Sequence, residues 1–311
     1  MRLVIILLCL SGGLLSAQLP AARIDSFRLY KQVKVTIDRP VVLKNGRPLA
    51  LIFYALPNGN STEWTMGKLK KEGDDWHYDI QHIRAQTAFI RQAMPRQNFV
   101  VIYLENDFKS WPAMKTKFPD YKTMYAHILD TLAGLFPEKH QHIYLNGHSG
   151  GGSFIFGYLA GVEKIPARIK RISFLDSDYN YDSSYYPKLK EWLVRVKDSH
   201  LNVFAYNDSV ALYKGKRVVS DSGGTWYRSR LMLRHLQRDF QFSESRTDSL
   251  LIYKSENNRI QFYLKPNYNQ GIYHTQQVEL NGFIHSVLCG TRKEGKRYEY
   301  YGKRAYGRLI E

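Results

Sequence analysis

The sequence predicts an α/β protein: a mostly parallel central sheet with helices on both faces, opened by antiparallel N-terminal strands. Three observations carry this expectation. From residue 27 onward, short runs rich in β-branched and aromatic residues alternate with longer amphipathic runs, the pattern of parallel strands joined by crossover helices. The run NFVVIYLEND at residues 98–107 is apolar without interruption until its polar end, as a strand covered on both faces must be. No internal repeat, low-complexity linker or shift in composition divides the chain, so residues 18–311 are expected to form one domain.

The elements follow in order. Residues 1–17, MRLVIILLCLSGGLLSA, carry Arg2, an apolar run from Leu3 to Leu10, a Ser-Gly-Gly break and small residues Ser16 and Ala17. That is the layout of a secretory signal peptide, and it implies a secreted or periplasmic protein. The apolar run is shorter than the roughly 20 residues a spanning helix needs, and no later segment is long and apolar enough, so no integral membrane segment is expected after its removal. Cys9 follows Leu7 and Leu8 where a lipid-anchored chain would carry a small residue. Cleavage after Ala17 leaves Cys289 as the one cysteine, so stability must come from burial and not from an internal disulfide.

FRLYKQVKVTI (residues 27–37) and RPLALIFYAL (residues 47–56) flank VVLKNGRP, whose Asn45-Gly46 is a hairpin signal. Ile80, Ile83, Thr87 and Ile90 fall at helical spacing over residues 79–93, and Pro95 ends that helix. Residues 124–136 form a second helix, HIYLN (142–146) a strand, and residues 150–161 a helix opened by glycines. RISFLDSD, LNVFAYND and RIQFYL are further strands, separated by the helical stretches YPKLKEWLVRV and TWYRSRLMLRHLQ.

Composition excludes several classes. With 44% hydrophobic and 14% aromatic residues the chain is neither disordered nor fibrous. Forty-five Lys and Arg against 28 Asp and Glu give a net charge of +17, which favours anionic surroundings. The basic residues are scattered from Arg28 to Arg308, and no nucleic-acid motif accompanies them, so they read as a solvated basic face with no nucleic-acid partner. No metal-ligand spacing and no cofactor motif appears: His77 and His82, with Asp74 and Asp75 nearby, read as helix surface. The expected state is a monomer.

The informative motif is Gly147-His148-Ser149-Gly150-Gly151. A serine nucleophile is presented on a sharp strand-to-helix turn, where side chains two residues before and after it would collide with neighbouring elements or substrate. The apolar strand HIYLN ends at Gly147 and an amphipathic helix begins at Gly150, which is the setting the chemistry needs. No Gly-Lys-Ser/Thr follows and the G-x-G-x-x-G spacing is absent, which argues against a phosphate-binding loop.

On GHSGG and the alternating elements around it, nearly all of the chain resembles the α/β-hydrolase superfamily. Acid and histidine candidates follow in the order Ser, Asp, His, as the resemblance implies. It puts the acid just past a late strand, where LNVFAYND ends at Asp208. Asp176 and Asp178, past the preceding strand, are the alternatives, since some members of the fold hold the acid there. It puts the histidine past the final strand. His274 stands there, at the head of a stretch in which Leu280, Phe283, Ile284, Val287 and Leu288 make a helix closed by Gly290. His285 is the alternative, if Asn281-Gly282 turns a hairpin and puts it on a strand. The oxyanion hole needs two backbone N–H groups: Gly150 after the nucleophile, and one from the loop containing Pro57, Asn58 and Gly59, for which Asn58 stands. This loop lacks the HGGG pattern of many lipases and esterases.

The resemblance implies a secreted serine hydrolase that cleaves a carboxylic ester through Ser149, His274 and Asp208 by way of an acyl-enzyme. Loop aromatics, among them Trp64, Trp76, Trp111, Tyr179, Tyr181, Tyr185, Tyr186 and Trp226, are suited to stacking on sugar rings, which points toward a carbohydrate esterase acting on a small-molecule or polysaccharide-linked acyl substrate. The alternatives are a serine peptidase of the same fold and a non-catalytic envelope or binding protein on a hydrolase scaffold.

Overall fold

The structure is a computed structural model that describes residues 22–137 and 140–311, so the signal peptide expected at 1–17 lies outside the described residues. The first part of the chain forms β1 (Ala22–Leu29), β2 (Val33–Pro40), β3 (Leu49–Ala55), α1 (Thr62–Met66), α2 (Ile83–Ala93) and β4 (Asn98–Asn106). The middle forms α3 (Trp111–Lys117), α4 (Tyr121–Gly134), β5 (Gln141–His148), α5 (Gly152–Gly161), β6 (Ile169–Leu175), α6 (Tyr186–Arg195) and β7 (His200–Tyr206). A small ribbon of β8 (Leu212–Tyr213) and β9 (Lys216–Arg217) precedes α7 (Thr225–Leu236), β10 (Phe242–Arg246), β11 (Leu251–Ser255), β12 (Ile260–Lys265), α8 (Gln276–Glu279) and α9 (Gly282–Leu288).

The main sheet has the order β1-β2-β4-β3-β5-β6-β7-β12-β11-β10. Its centre, from β4 to β12, is parallel, and both margins are antiparallel. The α/β class, the parallel centre and the antiparallel N-terminal strands agree with the sequence. Side chains alternate between two cores, as the pleat requires. On β3, Leu49, Leu51, Phe53 and Ala55 join the layer beneath α3 to α7, whereas Ala50, Ile52 and Tyr54 join the layer beneath α2, α9 and the C-terminal tyrosines. Trp192 of α6 is fully buried, and its indole N–H donates to the Ile169 carbonyl at 2.9 Å. Truncating such a residue costs about 3–5 kcal/mol.

Three local expectations are corrected. The antiparallel hairpin pairs Ala22–Leu29 with Val33–Pro40 and turns at Tyr30 (φ 54°), inside the stretch expected as one strand over 27–37, and not around Asn45-Gly46. Asn45-Gly46 does turn, but it carries the chain past β4, and β3 pairs in parallel with β4 and β5. The reason is burial: β3 is covered along its whole length and needs neighbours on both sides, while β1 is half exposed and suits an edge. The helix expected over 79–93 begins only at Ile83, because His82 adopts a left-handed conformation (φ 46°) after a 3-10 turn at Trp76–Asp79. The terminal helix is split in two at Asn281 (φ 65°), whose side chain is bound to the Glu299 and Lys303 carbonyls and to the Ala305 N–H. Asn281-Gly282 therefore makes no hairpin, and His285 is helical.

Candidate active site

The register sets Ala55 of β3 opposite both Leu104 of β4 and Gly147 of β5, so the loops after these strands leave one rim of the sheet side by side. Ser149 sits on that rim at φ 53°, a left-handed conformation that costs a non-glycine residue of order 1 kcal/mol or more and that the surrounding packing must enforce. The packing is visible at the glycines. A Cβ on Gly147 would lie 2.8 Å from the Gly151 carbonyl carbon, one on Gly151 would strike the Ala55 carbonyl, and one on Gly152 would strike the Ser177 carbonyl. The turn is pressed between the ends of β3 and β6, and Ser177 Oγ ties it down by donating to the Gly147 carbonyl at 2.8 Å.

Gly150 is pressed against the side chain of Asn58, so the two residues expected to supply the oxyanion donors are neighbours. In the Asn58 loop, Pro57 has no N–H, the Leu56 N–H goes to the Leu104 carbonyl (3.2 Å) and the Gly59 N–H goes to the Lys109 carbonyl (2.8 Å). The Asn58 N–H has no hydrogen bond to protein among the described residues.

His274 lies in the turn between β12 and α8, as a loop residue. Its Nδ1 is 2.5 Å from Asp176 Oδ2. A carboxylate only accepts, so Nδ1 carries the proton and Nε2 is left as the basic nitrogen. Asp176 follows β6, is fully buried and has φ 47°, a second strained residue at the same rim. The His148 ring packs on the His274 ring with centroids 4.5 Å apart, and its Nε2–H donates to the His274 carbonyl at 3.2 Å. Burial, and secondarily the neighbouring His274, hold the His148 imidazole well below its usual range, so it stays neutral. These contacts set His274 against His148, the residue that precedes Ser149 in the chain.

Asp208, the expected acid, does not touch His274. It follows β7 in a short 3-10 turn and faces the N-terminus of α7, accepting from the N–H of Thr225 (2.8 Å) and of Trp226 (3.3 Å). A Cβ at Gly224 would run into its carboxylate, which is why the chain carries glycine there. Burial, then the charge on Asp176, raise Asp208 to about 6, with the two backbone N–H groups pulling the other way. The carboxylates communicate through Thr225, whose hydroxyl lies within hydrogen-bond reach of Asp176 Oδ1 and 3.3 Å from Asp208 Oδ2. Asp178 is also buried, accepts from Ser229 Oγ at 2.9 Å, and is pushed well above the carboxylate range by burial. His285 lies on the other side of the sheet, with Nδ1 2.9 Å from the Tyr298 hydroxyl and its ring enclosed by Phe204, Tyr263 and Tyr300.

Thr225 is the part of this arrangement that sequence reasoning did not identify. Nothing in Gly224-Thr225-Trp226 distinguishes a residue that bonds two carboxylates from an ordinary helix start. Of the loop aromatics, Trp111 and Tyr181 are core residues, whereas Trp76 is exposed.

No family model matches the sequence, and no curated protein matches it. Solved structures do superpose. A protein designated FAE matches with a TM-score of 0.53 at 8% identity, over 90% of this chain and 91% of that one. The feruloyl esterase module from Clostridium thermocellum, solved as an S954A mutant with sinapinate, matches with a TM-score of 0.48 at 10% identity over 90% and 91%. A thermostable esterase matches with a TM-score of 0.48 at 13% identity over 85% of this chain, which spans 59% of that one. The match to the FAE structure is one of fold, and the order and parallel centre of the sheet here are those of the α/β-hydrolase fold.

Proposed function

We propose that the protein is a secreted serine hydrolase that cleaves a carboxylic ester, with Ser149 as nucleophile, His274 as general base and Asp176 as its orienting acid. The observation that carries the reading is the buried Asp176 carboxylate bonded to His274 Nδ1 at 2.5 Å on the rim that bears the strained Ser149. His274 Nε2 takes the Ser149 proton as Oγ attacks the acyl carbonyl. The Asp176 charge stabilises the imidazolium that forms. The N–H groups of Gly150 and Asn58 receive the developing oxyanion, each contributing about 3–4 kcal/mol to the transition state. The imidazolium then protonates the leaving alcohol, and a water activated by the same nitrogen releases the acid.

This assignment moves the acid from Asp208 to Asp176 and keeps Ser149, His274, Gly150 and Asn58. Asp208 becomes the group that holds the start of α7. The substrate is an acyl ester of a small molecule or a polysaccharide, the enzyme is a monomer of one domain over residues 18–311, and residues 1–17 are removed on export.

The test is labelling with a fluorophosphonate, which reacts only with an activated serine, alongside hydrolysis of 4-nitrophenyl acetate. The wild-type chain should label and turn over, and Ser149→Ala should fold and do neither. Undiminished turnover by Ser149→Ala would end the assignment. The exported protein should begin at Gln18.

A further inference from the structure

The segment that follows the Asn58 loop carries an aromatic feature that ester hydrolysis does not require. Trp64, His77 and Trp76 form a three-ring stack: the Trp64 and His77 centroids are 4.2 Å apart at an interplanar angle of 9°, and those of His77 and Trp76 are 3.9 Å apart at 30°. The middle ring is fixed by Asp75, whose Oδ1 accepts from the His77 backbone N–H at 2.8 Å and lies 2.5 Å from Nδ1. Lys109 Nζ, 5.6 Å from the centre of the Trp64 ring, closes the inner end. At the outer end Trp76 is 59% exposed.

The stack is joined to the catalytic rim. Ser61 Oγ accepts from the Trp64 N–H at 3.2 Å and starts α1 three residues after Asn58, and the Gly59 N–H is bonded to the carbonyl of Lys109 in the loop after β4. β4 and β5 flank β3, so the loop after β4 stands two strand spacings, about 10 Å, from the Ser149 loop.

We propose that Trp76, backed by His77 and Trp64, is a saccharide subsite, on which a pyranose ring of the ester-bearing substrate packs its C–H face while its hydroxyls donate to Asp75. The chemistry of the patch selects this ligand. An exposed indole offers an apolar face, and Asp75 Oδ2, which has no hydrogen bond among the described residues, offers an acceptor beside it. A pyranose has one apolar face and a rim of donors. A lipid or an apolar peptide would need a wider apolar surface than Trp76 gives, because its sequence neighbours Lys70, Lys71, Asp74 and Asp75 are polar. A cationic ligand is disfavoured by the net charge of +17 and by Lys109 at the other end of the stack. The rings are held before the ligand arrives, so little side-chain freedom is lost on binding.

The inference rests on the esterase reading, and two measurements separate their fates. Tryptophan fluorescence of the full chain bearing Ser149→Ala is titrated with xylohexaose, cellohexaose and chitohexaose. At least one should quench it saturably, and adding Trp76→Ala should weaken that affinity about tenfold or more, the size of one lost aromatic stacking contact, with Trp76→Phe falling between. In the active chain, Trp76→Ala should lower the preference for an acetylated oligosaccharide over 4-nitrophenyl acetate about tenfold, through KM. Absence of saturable binding by all three saccharides, equal affinity in Trp76→Ala, or an equal loss on both esters would overturn the subsite. Saccharide binding that depends on Trp76 in a chain with no esterase activity would uphold the subsite and remove the esterase reading alone.

Discussion

Replacing Asp176 and Asp208 separately by asparagine tests which carboxylate serves His274, and the structure sets a different magnitude for each. In Asp176→Asn the Thr225 hydroxyl keeps the nearer of its two carboxylate contacts when the amide oxygen takes the Oδ1 position, which turns the amide NH2 toward His274. That NH2 can only donate. His274 must then accept at Nδ1, which puts its proton on Nε2 and leaves no base for Ser149. A wrong tautomer of this kind lowers kcat by about 10³- to 10⁴-fold, or about 4 to 5.5 kcal/mol. In Asp208→Asn the amide oxygen can keep one of the two backbone N–H bonds at the start of α7, and the loss of the other costs about 1 kcal/mol.

A second term opposes that cost. The rise of Asp208 from 3.8 to about 6 means that the native state binds its proton more tightly than the unfolded chain does. The stability this contributes is fully present below pH 4 and is lost as pH rises through about 6, a change of about 3 kcal/mol. The asparagine side chain does not titrate. The stability of Asp208→Asn relative to wild type should therefore increase between pH 4 and pH 7.5, with kcat/KM within about tenfold of wild type at neutral pH. The assay is ester hydrolysis by both variants with urea unfolding at the two pH values. Loss of 10³-fold or more in Asp208→Asn, with Asp176→Asn nearly unimpaired, would refute the reasoning and return the acid to Asp208.

Two further predictions follow from contacts at the same rim and behind it. Gly150→Ala drives a Cβ into the Asn58 amide and separates the two oxyanion donors, so kcat should fall about 10²-fold or more while labelling by a fluorophosphonate slows but persists. His274→Ala should lose about 10³-fold in kcat with little change in Tm, whereas His285→Ala, which empties a buried site among Phe204, Tyr263 and Tyr300, should cost about 3 kcal/mol of stability and retain most turnover. The second comparison is read from thermal unfolding and one activated ester assayed on both variants.

What the sequence made legible follows from the range of the interactions involved. Ser149 and His274 are placed by local chemistry: a strand that must end in glycines, and a loop between the last strand and an apolar helical stripe. The carboxylate that meets His274 is placed by a nonlocal one. The segments ending at Asp176 and at Asp208 read alike, since each is an apolar strand closing on polar residues, and the strands they end are neighbours in the sheet. Which carboxylate meets the imidazole depends on how far the His274 loop reaches across two strand ends. The packing of His148 on His274, the strained backbone at Asp176 and the start of α7 claiming Asp208 together decide it. None of these contacts leaves a pattern in the chain around either aspartate. The same holds for the hairpin: Asn45-Gly46 marks a turn correctly, but only the burial of β3 on both faces decides that β4, and not β2, becomes its neighbour. Once α7 is capped by Asp208, Thr225 is fixed at its first position with its hydroxyl between the two carboxylates, so Asp208, which is bonded to α7 and not to His274, still bears on Asp176 through one shared hydroxyl.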